Sequence, residues 1–521
     1  MVVRYLKSRV AFVYGPTHEL NVSMITQQTL DRDICIRALN ARDPHFDGIF
    51  FVGIATTGIY CRPICPSRRA HDKNRRFFDS AAAAERAGFR PCLRCRPELA
   101  PGRAPSDAVS RLARAAVQRI SAGALNDRSV PQLAQEFDVS ERHLRRVLQR
   151  EIGVSPVELA QTHRLLLAKR LLADTTLPIT QVAYASGFGS LRRFNAVFRK
   201  RYDMTPSALR HDADSTPDSA SASGCETTSG SAEDFVRLTL AYRTPLAWDV
   251  LVALLQKNLL PGVEVVQGTR YGRTVEVDGR SGVVFVEDTA SNTHVNVDVS
   301  LSLLPVLMPV LARLRQLFDL DAQPAAVDTC LERGGLRQLV RQRPGLRIPG
   351  TFDGFELALR VLLLRCGHPW EITNELARRI VCALGEPLKT GCSSLGRLAP
   401  RAERVAEAGA RRLEAFGVPP RRAHTIAEVA RKVADGALRL EPGCDVAATR
   451  QALLVIDGLD DRLVSLIEMR ALCWPDAFPA TDRALQRVAG ASDPHSLRKQ
   501  AERWRPWRAY AALHLWLQDN A

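Results

Sequence analysis

Four cysteines near the amino terminus have the spacing of a metal site. Cys61 and Cys65 form a C-x3-C pair, and after a gap of 26 residues Cys92 and Cys95 form a C-x2-C pair. Two such pairs of thiolates suit one tetrahedral Zn²⁺ ion, which would cross-link a small module. Spacing alone favours a structural ion, because structural zinc sites outnumber reactive ones. The arginines that crowd both pairs indicate either a face that contacts phosphate or a solvated basic surface.

The charge of the chain favours a nucleic-acid partner. Its 521 residues have a formal net charge of +16, which points to a polyanion, although a basic surface can also serve solubility alone. The length predicts roughly three or four domains. Twelve cysteines without a disulfide-scaffold pattern fit a reducing cytoplasm. No apolar run is long enough to span a bilayer, so we expect no membrane contact.

The hydrophobic patterns predict a multidomain α+β chain, because stretches of alternation are followed by stretches of helical period. The predicted order is a loose tail or wrongly chosen start at 1–23, a small zinc-cysteine α/β module at 24–103, an all-α tandem helix-turn-helix domain at 104–210, a flexible linker at 211–233, a β-rich subdomain at 234–304, and a mostly helical domain at 305–521, in which a family resemblance described below implies a helix-hairpin-helix.

Two helix-turn-helix motifs follow the cysteine module. A turn after Phe137 precedes a helix capped by Ser140, and Gly187 and Gly189 form a turn before a helix capped by Ser190. A second helix with Arg or Asn in its first turns is what reading of a major groove requires. Two motifs in one chain would let a monomer contact adjacent groove segments of double-stranded DNA. The predicted DNA contacts are Arg142, Arg145, Arg192, Arg193 and Asn195.

Three parts of the chain resemble known families. TTGIYCRP, GFRPC and the C-x2-C pair make residues 46–101 similar to the zinc domain of Ada-type alkylation-response proteins. Residues 107–210 resemble AraC-type DNA-binding domains, except that DMTP replaces the usual glycine before Thr205. Residues 234–521 resemble AlkA-type 3-methyladenine DNA glycosylases II, down to the terminal AERWRPWRAYAALHLW. The chain has no PCHR motif, so we expect no O6-alkylguanine transferase domain.

The Ada resemblance implies a function for the metal site. Cys61 would accept a methyl group from a DNA methyl phosphotriester, once per molecule, while the other three cysteines share its Zn²⁺. Loss of one negative charge would raise the affinity for DNA and activate transcription at a promoter, with RNA polymerase as a further partner. Thr57, Arg68 and Arg90 flank the cysteines and are the predicted backbone contacts.

The AlkA resemblance implies excision of alkylated bases such as 3-methyladenine. Asp482 in AFPATDRAL matches the glycosylase carboxylate, although an aspartate there could also cap a helix. Gly458 matches the hairpin glycine that approaches a phosphate, and Trp516 would form a wall of the base pocket or simply pack in the core. The departures from the family are Asp457 for proline, Asp460 for the second glycine, Arg462 for a pocket tryptophan, and RCGHPW at 365–370.

Two functions therefore remain open from the sequence. The first is a bifunctional repair enzyme that also regulates transcription, located in a bacterial cytoplasm at the nucleoid. The second is a methylation-sensing transcription factor whose glycosylase-like domain is degenerate, because the departures fall at predicted DNA contacts. A plain zinc-stabilised transcription factor that responds to another signal is disfavoured, since no sensor domain for a small molecule is visible.

Overall fold

A computed structural model describes residues 32–68, 70–101, 111–214, 235–289, 293–364 and 370–519. Within these ranges the chain is α+β with several domains, as predicted. The predicted tail at 1–23 lies outside the described residues. No helix in the described ranges combines the length and apolar character needed to cross a bilayer.

The cysteine module is built on a small mixed sheet of order β3-β1-β2-β4. Strands β1 and β2 are antiparallel, with Val52 opposite Cys61. Strand β2 also pairs with β4 in parallel. The cysteine pairs follow these two neighbouring strands, so the sheet brings them together. The elements are α1 (Arg32–Ala41), β1 (Phe51–Ile54), β2 (Ile59–Cys61), β3 (Arg75–Phe78), α2 (Ala81–Arg86) and β4 (Arg90–Pro91).

Seven helices of the described chain form the helix-turn-helix domain, and four of them make up the two motifs. Ser140 and Ser190 cap their second helices as predicted, with side-chain oxygens that accept from the amides of His143 and Arg193. The last helix runs to Asp214, past the predicted boundary at 210, and 215–234 lie outside the described residues. The helices are α3 (Arg111–Ser121), α4 (Val130–Glu136), α5 (Glu141–Glu151), α6 (Pro156–Asp174), α7 (Ile179–Ala185), α8 (Leu191–Tyr202) and α9 (Pro206–Asp214).

The β-rich part is an antiparallel sheet of order β5-β9-β8-β7-β6, with one helix between its first two strands in the chain. The inward faces of its strands are valine-rich, so they bury one side of the sheet. The elements are β5 (Phe235–Ala241), α10 (Trp248–Gln256), β6 (Glu264–Gln267), β7 (Arg270–Val277), β8 (Arg280–Asp288) and β9 (His294–Ser300).

The rest of the chain is helical, as predicted, and contains the helix-hairpin-helix at α18 and α19. Its helices are α11 (Leu307–Leu317), α12 (Pro324–Leu331), α13 (Arg337–Gln342), α14 (Gly354–Leu364), α15 (Trp370–Leu384), α16 (Ala402–Ala415), α17 (Pro420–Ala434), α18 (Val446–Leu454), α19 (Asp461–Arg470), α20 (Arg483–Val488), α21 (Pro494–Ala501) and α22 (Arg508–Asp519).

The second helix-turn-helix motif shares a hydrophobic core with the five-stranded sheet. Leu171 and Phe198 belong to the same buried cluster as Leu238 and Val297. The first motif contacts the glycosylase-like part, the sheet and helices that follow the predicted linker, through charged side chains instead. Arg439 bonds to Glu136 at 2.7 Å, and Arg119 lies 3.3 Å from Glu441. Both helix-turn-helix motifs are therefore packed against the glycosylase-like part.

Helix α6 connects the cysteine module to the other helices of the helix-turn-helix domain. The ammonium of Lys169, on this helix, donates to the Glu98 carboxylate at 2.6 Å and to the Cys92 carbonyl at 3.3 Å. The side chains of Lys169 and Glu98 are 3% and 1% exposed. A second ion pair joins Arg96 to Asp174 at 2.7 Å. The backbone of one cysteine is thus held by a buried charge pair from the neighbouring domain.

We predict that Glu98→Gln destabilises the protein, because it leaves the buried Lys169 ammonium without this carboxylate. Removal of one partner of a buried pair costs several kcal/mol, so the first thermal transition should fall by roughly 5–10 °C. Glu407→Gln, which removes an exposed i,i+3 partner of Arg404, is the matched control and should shift it by less than about 2 °C. Equal melting temperatures for the two variants by calorimetry would contradict the prediction.

Candidate metal centre and glycosylase site

The four cysteines converge in one cluster. Their Sγ atoms all lie within 4.8 Å of one another, and each residue is only 8–9% exposed. A tetrahedral zinc site with Zn–S bonds of about 2.3 Å separates its sulfurs by about 3.8 Å, so the cluster fits one ion after small adjustments. The geometry and the donor set are consistent with one Zn²⁺, as predicted.

Backbone hydrogen bonds position the four cysteines in this cluster. Cys61 is the last residue of β2, and the Cys65 amide donates to the Arg62 carbonyl at 3.1 Å in the turn that follows. The Cys92 amide donates to the Tyr60 carbonyl at 3.0 Å, which continues the pairing of β4 with β2. The Arg62 guanidinium in turn bonds to the buried Asp47 at 2.8 Å and to the Cys95 carbonyl at 3.2 Å.

Hydrogen bonds among the thiols spread their pKa values apart. Hydrogen bonding with Cys61 is the largest cause that lowers the pKa of Cys65. It is also the largest cause that lowers the pKa of Cys92, to about 6. The same contacts, that from Cys65 foremost, raise the pKa of Cys61. A cation that balances the charge of the cluster would keep all four sulfurs as thiolates at neutral pH.

Cys95 differs from the other three sulfurs in its hydrogen bonds. Its Sγ accepts a hydrogen bond from the Arg62 amide at 3.4 Å. A thiolate that accepts a hydrogen bond loses nucleophilic character, so this contact makes Cys95 a poorer nucleophile.

Most of the predicted DNA contacts lie at the surface. Thr57 and Arg68 are exposed beside the cysteines. Arg90 instead reaches the end of α8, where its guanidinium lies 3.5 Å from the Tyr202 carbonyl and 3.6 Å from the Asp203 carboxylate. Also exposed are Arg142, Arg145, Arg192, Arg193 and Asn195. Contact with DNA remains a prediction for all of them.

Glu85 is a buried residue between the cysteine module and the helix-turn-helix domain that the sequence analysis missed. Its carboxylate accepts from the Tyr60 hydroxyl at 3.1 Å and from the Thr162 hydroxyl at 2.9 Å, with Arg201 of α8 3.6 Å away. Burial raises its pKa to about 7. Nothing in the run AAAAER distinguishes this glutamate from a surface residue, because its partners are distant in the chain.

We predict that Glu85 makes stability pH-dependent. Because its folded pKa is raised, its contribution is complete below its ordinary value of 4.5 and is lost as the pH rises through about 7. The melting temperature of the wild type, relative to that of Glu85→Gln, should therefore fall between about pH 5 and pH 8. A difference between the two proteins that stays constant over this range would contradict the prediction.

Asp482 is fully buried and caps α20. Its Oδ1 accepts from the amides of Ala484 at 2.9 Å and Leu485 at 3.1 Å. Its Oδ2 makes no hydrogen bond of good geometry but lies 2.5 Å from Nη2 of Arg462. The capping role allowed by the sequence is therefore present, and the second oxygen is ion-paired.

The hairpin carboxylates have partners that the sequence did not reveal. Asp457 pairs with Arg421 at 2.8 Å, and Asp460 caps α19 through the Leu463 amide at 2.8 Å. Gly458 has a φ of +86°, which favours glycine. These contacts reduce the repulsion of phosphate expected from isolated carboxylates.

The structure leaves the predicted roles of Trp516 and of the stretch 365–370 untested. Trp516 packs against the core of the C-terminal helices, the role in packing that the sequence also allowed. Its place in a base pocket stays a prediction. Of the stretch 365–370, residues 365–369 and the side chain of Trp370 lie outside what the structure describes.

Comparisons with known proteins match all three parts of the chain. The metal binding domain of Ada matches residues 34–98, a helix-turn-helix domain matches 133–212, and the AlkA N-terminal domain matches 237–353. A probable bifunctional transcriptional activator/DNA repair enzyme AlkA of Mycobacterium tuberculosis is 37% identical over 491 residues, which cover 93% of this chain and 96% of that protein. The chain belongs to this family of bifunctional activators and repair enzymes.

Partial relatives agree with this assignment. DNA-3-methyladenine glycosylase 2 of Escherichia coli is 30% identical over 284 residues, 54% of this chain and 97% of the glycosylase. The bifunctional transcriptional activator/DNA repair enzyme Ada of the same organism is 30% identical over 187 residues, 36% of this chain and 51% of Ada. The family resemblances predicted from the sequence are confirmed.

Proposed function

We propose that the chain repairs and senses DNA alkylation damage through two sites. The zinc-cysteine module removes the methyl group of a DNA methyl phosphotriester, the helix-turn-helix motifs bind a promoter, and the glycosylase-like domain excises alkylated bases. The observation that supports this most is similarity along nearly the whole chain to a bifunctional activator and repair enzyme.

The methyl transfer follows from the chemistry of the thiol cluster. When zinc is bound, it keeps the four sulfurs as thiolates at neutral pH. The Cys61 sulfur attacks the methyl carbon in line, an S–C bond forms, and the C–O bond breaks with its electron pair going to the phosphate oxygen. The products are a normal phosphodiester and a thioether, so each molecule acts once. We assign this role to Cys61 because it lies in TTGIYCRP, the motif by which this module resembles the metal binding domain of Ada.

The transfer also changes how the protein meets DNA. A thioether at Cys61 removes one negative charge from a face that approaches phosphate, so DNA binding strengthens. Lys169 and Arg90 connect the module to α6 and α8, and hold this face beside the DNA-reading helices. Binding as a monomer, contact with RNA polymerase and a place at the nucleoid of a bacterial cytoplasm belong to the same proposal.

Cys61→Ser should abolish uptake of label from DNA that carries radioactive methyl phosphotriesters, because a hydroxyl is a far weaker nucleophile than a thiolate. Cys382→Ser, which changes an exposed cysteine in the glycosylase-like part, is the control and should retain full uptake. The zinc content of each variant is measured alongside. Stoichiometric labelling of Cys61→Ser would show that another residue accepts the methyl group.

Base excision would use the Asp482 carboxylate. As the N-glycosidic bond breaks, its electron pair leaves with the base and positive charge develops on the sugar, which a nearby carboxylate stabilises. Water then adds to the anomeric carbon and loses a proton. The negative charge of the second carboxylate oxygen is what this chemistry needs, since the first oxygen is engaged in the helix cap.

Asp482→Asn should lower the release of bases from methylated duplex DNA by roughly 10²-fold or more, because it removes the charge but keeps an oxygen for the cap. Asp493→Asn makes the same change at the cap of α21, where the side chain accepts from the Ser496 amide, and should release bases at the wild-type rate. Release by Asp482→Asn at the wild-type rate would remove Asp482 from the reaction.

A second candidate function has one observation in its favour. In a methylation-sensing transcription factor with a degenerate glycosylase-like domain, the carboxylate would be free to serve structure alone, and Asp482 is indeed both a helix cap and the partner of Arg462. The base-release assay separates the two functions, because the degenerate domain would release no more base than Asp482→Asn.

A further inference from the structure

The pairing of Arg462 with Asp482 leaves little room for a substrate at the carboxylate. Asp482 is fully buried, and its Oδ1 accepts from two amides of α20. Only Oδ2 is available to a sugar or a water molecule, and the Arg462 guanidinium lies 2.5 Å from it. A nucleotide therefore reaches the carboxylate only when this guanidinium moves or becomes part of the binding site.

The ion pair leaves hydrogen-bonding capacity unused beside it. Apart from that ion pair, Asp482 Oδ2 and the neighbouring Thr481 hydroxyl are buried and make no hydrogen bond to the described residues. Buried polar atoms in native proteins usually have hydrogen-bond partners, so these two oxygens can bind water or a nucleotide when the guanidinium moves. The Arg462 side chain is 31% exposed, so it can leave towards solvent.

The charge of Arg462 also bears on which base is accepted. A guanidinium beside the carboxylate cancels much of the field that would stabilise positive charge on the sugar or on the base. Purines alkylated at N3 or N7 carry a positive charge within DNA, whereas the deaminated base hypoxanthine is neutral. The guanidinium repels a cationic base as soon as the base is bound. This repulsion is strong in a site from which water is excluded.

We propose that Arg462 is a specificity-determining residue of this site: paired with Asp482, it lowers the excision of cationic alkylated bases relative to that of neutral damaged bases. The inference rests on the proposed excision chemistry of Asp482. Arg462 stands at the start of α19, immediately after the hairpin, and so lies where an approaching DNA backbone would also attract it.

The test compares Arg462→Gln and Arg462→Lys with the wild type on duplexes that contain 7-methylguanine, which is cationic, or hypoxanthine, which is neutral. In Arg462→Gln the ratio of kcat/KM for 7-methylguanine to that for hypoxanthine should rise by about tenfold or more, because one repulsive charge is removed. Arg462→Lys keeps the charge and should keep the wild-type ratio. An unchanged ratio in Arg462→Gln overturns the proposal, even if both rates rise or fall together.

A binding measurement separates this inference from the proposed function. Duplexes with a pyrrolidine abasic nucleotide, which is cationic, and with a tetrahydrofuran one, which is neutral, are titrated against the same proteins. If no protein excises a base but Arg462→Gln prefers the cationic duplex about tenfold more than the wild type does, the selection by charge stands and the excision function fails. If Arg462→Gln and the wild type show the same preference between cationic and neutral DNA in both assays, the selection by charge is overturned. Melting temperatures verify that the variants are folded.

Discussion

Four sulfur atoms within 4.8 Å of one another impose the constraint on which this structure depends. As thiolates they carry four negative charges in one buried place, which a protein tolerates only with a cation among them. The sheet satisfies the geometric part of this constraint, because parallel pairing of β2 with β4 places the two cysteine pairs side by side. A cation then decides both the stability of the module and the reactivity of its sulfurs.

Buried charges also govern how the parts of the chain are joined. Lys169 crosses from α6 to the module, Glu85 faces α6 and α8, and Glu136 meets Arg439 of the glycosylase-like part. Such contacts are directional and penalise misplacement more than apolar contacts do, because a buried charge without its partner is costly. Buried charge pairs therefore link the thiol cluster directly to the helix-turn-helix domain.

The elements and the thiol cluster could be predicted from the sequence because their signals are local. Ser140 and Ser190 precede their helices directly, and the spacing of the cysteine pairs reflects the requirements of one ion. The charge pairs could not be predicted in the same way. Glu85 and Thr162 are 77 residues apart, and Arg462 meets Asp482 only because the hairpin and α20 pack together. The sequence marked Arg462 as unusual but did not identify its partner.

The most direct test of this account maps the methyl group transferred to the wild-type protein. The zinc-loaded full-length chain is incubated with duplex DNA that contains methyl phosphotriesters, then digested and sequenced by tandem mass spectrometry. The account predicts one methyl group per chain, on the sulfur of Cys61, with none on Cys65, Cys92 or Cys95. Methylation of one of those three sulfurs instead, or no transfer by a protein that retains its zinc, would contradict it.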